Sequence, residues 1–69
     1  MTWPELVRWA ERNGMIVGTD PPCEDGEGGY WADLISTTRP EFDLEVVASS
    51  LPAAKRALCR VVERIRQAK

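Results

Sequence analysis

The last third of the chain is its tightest constraint. Leu51, Ala54, Leu58, Val61, Val62 and Ile65 recur at helical spacing and form one apolar stripe of roughly 100°. Arg56, Arg60 and Arg64 fall opposite that stripe, four residues apart, while Lys55 and Arg66 flank it, where their alkyl stems can cover its edge. Ser50 suits the cap of this helix and Pro52 its first turn. Arg64, Arg66 and Lys69 gather at the C-terminal end, which favours cations. A stripe this wide must lie on another apolar surface, and in a chain of 69 residues the preceding segments have to supply it.

Those segments read as one helix and a meander. Thr2-Trp3-Pro4-Glu5 has the pattern of a capping box with proline in the first turn. Trp3, Leu6, Val7 and Ala10 then recur on one side, and Asn13-Gly14 closes the helix with a residue suited to a left-handed cap. Trp9 lies about 60° beyond the apolar stripe, which puts it at the rim of a core or in an exposed aromatic contact. Met15 to Gly18 is short, apolar and strand-compatible, and residues 19–29, with two prolines and three glycines, read as a long loop. From Tyr30 to Ser36, the set Tyr30, Ala32 and Leu34 alternates with Trp31, Asp33 and Ile35, a strand in which neither face is wholly polar. Thr37 to Glu41, containing Pro40, reads as a turn. Phe42, Leu44 and Val46 then alternate with Asp43 and Glu45, which predicts a half-buried strand with an acidic outer face.

The resulting expectation is a single α+β domain over residues 1–69, of order α-β-β-β-α. A three-stranded antiparallel sheet carries both helices on one face. A chain this short buries only about 60% of the surface its unfolded form exposes, so large apolar side chains are needed for the core. At 43% hydrophobic and 29% charged residues, the composition is that of a folding chain rather than a disordered one. No basic segment followed by an apolar run opens the sequence, and no apolar stretch approaches about 18 residues, so the chain reads as a cytoplasmic protein without a membrane partner. Cys23 and Cys59 are then expected as reduced thiols.

Several kinds of chemistry lack their residues. Histidine is absent, which removes the usual general base and the commonest zinc ligand. Asp20, Glu24, Asp25 and Glu27 are oxygen donors, but their spacing is not that of a calcium loop, and they read as a solvated or partner-docking loop. Asp43 and Glu45 share a strand face about 7 Å apart, with no apolar pocket to shift their ionisation. Gly26, Gly28 and Gly29 precede neither a Lys-Ser/Thr pair nor a helix, so they form no phosphate loop. The chain therefore reads as non-enzymatic, with no catalytic residue, metal ligand or cofactor.

Charge and aromatic residues point to binding instead. Residues 19–48 carry eight acids against Arg39, a net −7, and residues 49–69 carry six bases against Glu63, a net +5. Two docking surfaces of opposite sign follow. The first uses Trp9, Asp20, Glu24, Asp25, Glu27, Trp31, Asp43 and Glu45 to meet a protein with a basic surface, or a second copy of the chain. If the helices cover the Leu34 side, Trp31 and Ile35 form an exposed apolar patch rimmed by acids; if they cover the other side, Trp31 and Ile35 are core. The alternative surface is the basic helix, where Lys55, Arg56, Arg60 and Arg64 would contact the phosphates of a nucleic acid.

Two resemblances accompany these residues. The helix-strand-strand-strand-helix order, ending in Ser50-Leu51-Pro52-Ala53-Ala54-Lys55, resembles a double-stranded-RNA-binding domain. Ala54 and Lys55 match that family's Lys-Lys-x-Ala-Lys phosphate clasp, with Leu51 and Pro52 in place of its first two lysines. The resemblance implies the α+β architecture and phosphate contacts at the start of the last helix. Tyr30, Trp31, Leu34 and Ile35, followed after a hairpin by Ser50, Leu51, Ala54 and Lys55, are similar to short bacteriophage and mobile-element proteins and to the strand-strand-helix part of HicB-type antitoxins. This second likeness implies action by binding other proteins, as an accessory or inhibitor of phage type.

Overall fold

The computed structural model describes residues 1–20 and 29–68. Helix α1 (Trp3–Arg12) leads into strand β1 (Met15–Asp20), strand β2 (Tyr30–Ser36), a 3-10 turn (Pro40–Phe42), strand β3 (Leu44–Ala48) and helix α2 (Leu51–Gln67). The strands form one antiparallel sheet in the order β1-β2-β3. Helix α2 lies over β2 and β3, and α1 lies beside it against β1. This is the predicted α-β-β-β-α arrangement. Among the described residues no helix is long and apolar enough to cross a membrane.

Local chemistry sets the element ends. At α1 the Thr2 hydroxyl accepts from the Glu5 amide at 3.4 Å, and the Glu5 carboxylate accepts from the Thr2 amide at 3.1 Å, which completes the capping box. Gly14 leaves the helix at φ +70, a conformation that any Cβ would strain. Ser50 caps α2 by accepting from the Ala53 amide at 3.3 Å.

Register then sorts the side chains. Val17 pairs with Leu34 and Leu34 with Leu44, while Ala32 stands between Thr19 and Val46. These residues share the face beneath the helices, because side chains alternate along each strand and directly paired residues point the same way. Phe42, Leu6, Leu34, Leu58 and Val62 are its largest fully buried side chains. Leu44, Val46 and Ile65 pack against them, so the helix stripes do meet the meander.

Two boundaries differ from the sequence reading. Strand β1 runs on to Asp20, two residues past Gly18, because Thr19 and Asp20 continue the ladder opposite Ala32 and Trp31. Phe42 belongs to no strand. Pro40 favours a tight turn, and the Phe42 amide donates back to the Arg39 carbonyl at 2.9 Å. The buried Ser36 hydroxyl anchors the same turn by accepting from the amides of Arg39 at 2.9 Å and Thr38 at 3.3 Å. Phe42 thus enters the core from a turn, and Asp43 precedes β3 rather than sharing a strand with Glu45.

Candidate functional site

The helices cover the Leu34 side of the sheet and leave the other side open. Leu34 is 0% exposed, and its neighbour Ile35 is 46% exposed. On the open face Ile16 pairs with Ile35, Gly18 with Asp33, and Asp20 with Trp31. Across the second ladder Asp33 pairs with Glu45 and Trp31 with Val47. Three rows result. An Ile16–Ile35 row lies at one end, a Trp31–Val47 row with Asp20 beside it lies at the other, and Asp33 and Glu45 stand between them.

Ile16, Ile35 and Val47, at 67%, 46% and 49%, are the exposed large hydrophobic residues among those described, and all three belong to this face. Trp31 is half-buried. No Lys or Arg occurs in any of the three strands, and among the described residues Asp20, Asp33 and Glu45 form no ion pair. Gly18 gives Asp33 its position. A Cβ at Gly18 would lie 2.8 Å from Asp33 Oδ1, so the carboxylate occupies space that a side chain on β1 would claim. An apolar patch with acids at its centre and edge can bury hydrophobic side chains while receiving cations.

Of the residues read as partner-binding, the fold brings Asp20, Trp31 and Glu45 together on this face. Asp20 does so as a strand residue rather than a loop residue. Asp43 is exposed just ahead of β3. Glu24, Asp25 and Glu27, like Cys23, lie outside the described residues. Trp9 stands elsewhere, in the helical layer. Its ring meets Phe42 edge-on at 5.1 Å between centroids, and the Arg66 guanidinium lies 5.3 Å from it. It is half-buried at the rim of the core.

Ile16, Asp33 and Val47 belong to the face and were not singled out as site residues. Asp33 alternates with Trp31 and Ile35, so its place was readable once the covered side is known. Ile16 and Val47 take their places from the register.

The opposite surface is basic. Arg56, Arg60 and Arg64 are exposed along α2, and no ion pair holds them among the described residues. Lys55 is drawn inward, its amine 5.3 Å from the centre of the Trp3 ring. A shallow cleft of about 430 Å³ opens here, with Trp3, Cys59 and Arg60 among its walls. Glu63 at its edge pairs with the Met1 amine, a contact that raises the amine's pKa. Burial pushes the Cys59 thiol up, so it is a poor source of thiolate at neutral pH. Among the described residues no group of three His, Cys, Asp or Glu side chains is placed to hold a metal ion.

Comparison with known proteins finds no family model, curated protein or solved structure that matches the chain.

Proposed function

We propose that this chain is a non-enzymatic, cytoplasmic protein-interaction module, an accessory or inhibitor of phage type, that docks a partner protein's basic surface on the open face of its sheet. One observation carries the reading: the exposed large apolar side chains among the described residues all fall on that face, around carboxylates and on strands that carry no Lys or Arg. Exposed apolar groups gathered in one patch are costly to leave in water and are typical of binding surfaces. The test is affinity capture from host lysate with immobilised chain. Trp31→Ala and Ile35→Lys are expected to lose the partner that wild type retains, while Arg56→Glu keeps it and all variants unfold cooperatively. Equal capture by wild type and both face variants would refute the reading.

A second reading has its own support. Arg56, Arg60 and Arg64 present three exposed guanidinium groups at one-turn spacing, a geometry suited to phosphate contacts on nucleic acid. A gel-shift assay with duplex RNA and duplex DNA at about 50 mM salt, where such contacts are strongest, decides it. The reading predicts a shift that Arg60→Glu weakens, and no shift with either duplex ends it.

A further inference from the structure

Resting on that docking surface, we propose that its occupant is a basic amphipathic α-helix of a partner protein, laid along β2 with a Lys or Arg at the middle of its apolar stripe. The dimensions fit a helix. Three strands spaced by about 4.8 Å give a face about 10 Å across between its outer strand axes, close to the diameter of one helix with its side chains, about 10–12 Å. Along β2, Ile35 and Trp31 are four residues apart, or about 13 Å, with Asp33 midway. A helix rises about 1.5 Å per residue, so apolar residues at positions i and i+7 or i+8 reach both apolar rows, and a cation at i+4 falls over Asp33 and Glu45.

A helix also covers what is exposed. A strand added to the edge of β1 or β3 would pair backbone groups and leave Ile16, Ile35 and Val47 in water. A helix across the face buries all three and completes a helix-sheet-helix sandwich.

Charge excludes a second copy as the occupant. Pairing two open faces would bring Asp20, Asp33 and Glu45 of both copies together, six carboxylates with no strand cation between them. Laying the face on another copy's α2 would supply Arg56, Arg60 and Arg64 but no exposed large apolar side chain, since those among the described residues all lie on the sheet. The occupant must bring cations and hydrophobic groups on one surface. A basic amphipathic helix does so.

The test is selection of a displayed library of random 20-residue peptides on the full chain, with counter-selection against an Asp33→Lys/Ile35→Lys double variant. Because both positions lie on the open face rather than in the core, the variant should unfold as cooperatively as wild type; if it does not fold, Asp33→Asn/Ile35→Ala takes its place. The expected outcome is enrichment of basic peptides with apolar residues at helical spacing that gain helical circular dichroism on binding. Asp33→Lys should weaken them tenfold or more, and raising salt from about 50 to about 300 mM should weaken them further. Gly18→Ala, which displaces the Asp33 carboxylate, should weaken them by a smaller factor. Enriched peptides with period-two alternation would overturn the helical occupant while leaving the docking face standing. Acidic peptides, peptides that bind the double variant equally well, or no enrichment over the counter-selected background would overturn both.

Discussion

Leu34 and Ile35 are adjacent on β2 and project to opposite faces, so truncating each to alanine asks which face the helices cover. Leu34 is fully buried between Val17 and Leu44 beneath the helical layer. Its truncation removes transfer energy and leaves a cavity, for which about 2–5 kcal/mol is usual. Ile35 at 46% exposure leaves no enclosed cavity and loses only part of an isoleucine's burial, about 1 kcal/mol. For 69 residues a total stability of roughly 3–10 kcal/mol is expected, so Leu34→Ala consumes a large share of it. At about 4–8 °C per kcal/mol for a domain this size, Ile35→Ala should lower Tm by a few degrees. Leu34→Ala should lower it by more than twice as much, or leave the chain unfolded at room temperature. Thermal and urea unfolding followed by circular dichroism measure both. A cost for Ile35→Ala equal to or above that of Leu34→Ala would mean that the helices cover the other face, and the assignment of the docking surface would fall with it.

Three further outcomes follow from the same packing. Phe42→Ala removes a fully buried ring and its edge contact with Trp9, and should cost about 3–5 kcal/mol with a matching change in tryptophan emission; a loss below about 1 kcal/mol would contradict the core described. Gly14→Ala places a Cβ at φ +70 and should cost about 1–2 kcal/mol, read as a lower urea midpoint at unchanged slope, whereas an unchanged midpoint would refute the left-handed cap. Hydrogen bonds from the Thr2 amide and, second, from its side chain hold the Glu5 carboxyl below its usual range, so its contribution is present above the unfolded-state value and lost as pH falls through the lower folded-state value. Glu5→Gln, which removes the titrating carboxyl, should therefore narrow the stability difference between pH 7 and about pH 3, and an identical acid profile would refute the capping box.

Where sequence signals were local, they were sufficient. Thr2 with Glu5, Ser50 with Pro52, and Gly14 mark helix ends through contacts with the nearest turn, so spacing alone reveals them. Phe42 was misleading because its alternation with Leu44 and Val46 mimics a strand, although Pro40 and the Ser36 hydroxyl bend the backbone first. β1 reaches Asp20 because a ladder is closed by its partner strand, and Asp20-Pro21 read alone looks like a loop. The site was harder to read than the fold. Trp31 and Ile35 are as apolar as Tyr30 and Leu34, so β2 does not declare which side is wet. The choice is made by pairing: Leu34 stands opposite Leu44 and Asp33 opposite Glu45, and the acidic side of β3 then marks the open face. That pairing depends on a turn whose geometry the residues of β2 do not contain.

The proposed docking requires one surface that is open in the free chain and closed in the complex. Methyl-resolved NMR with a soluble paramagnetic agent tests this directly, on the chain alone and with a bound partner. The free chain should show strong broadening at Ile16, Ile35 and Val47 and little at Leu34, Leu58 and Val62, and the three exposed methyl sets should become protected on binding. Broadening that persists at Ile16, Ile35 and Val47 in the complex, with the backbone amides of Arg56, Arg60 and Arg64 becoming protected in amide-detected spectra instead, would contradict it.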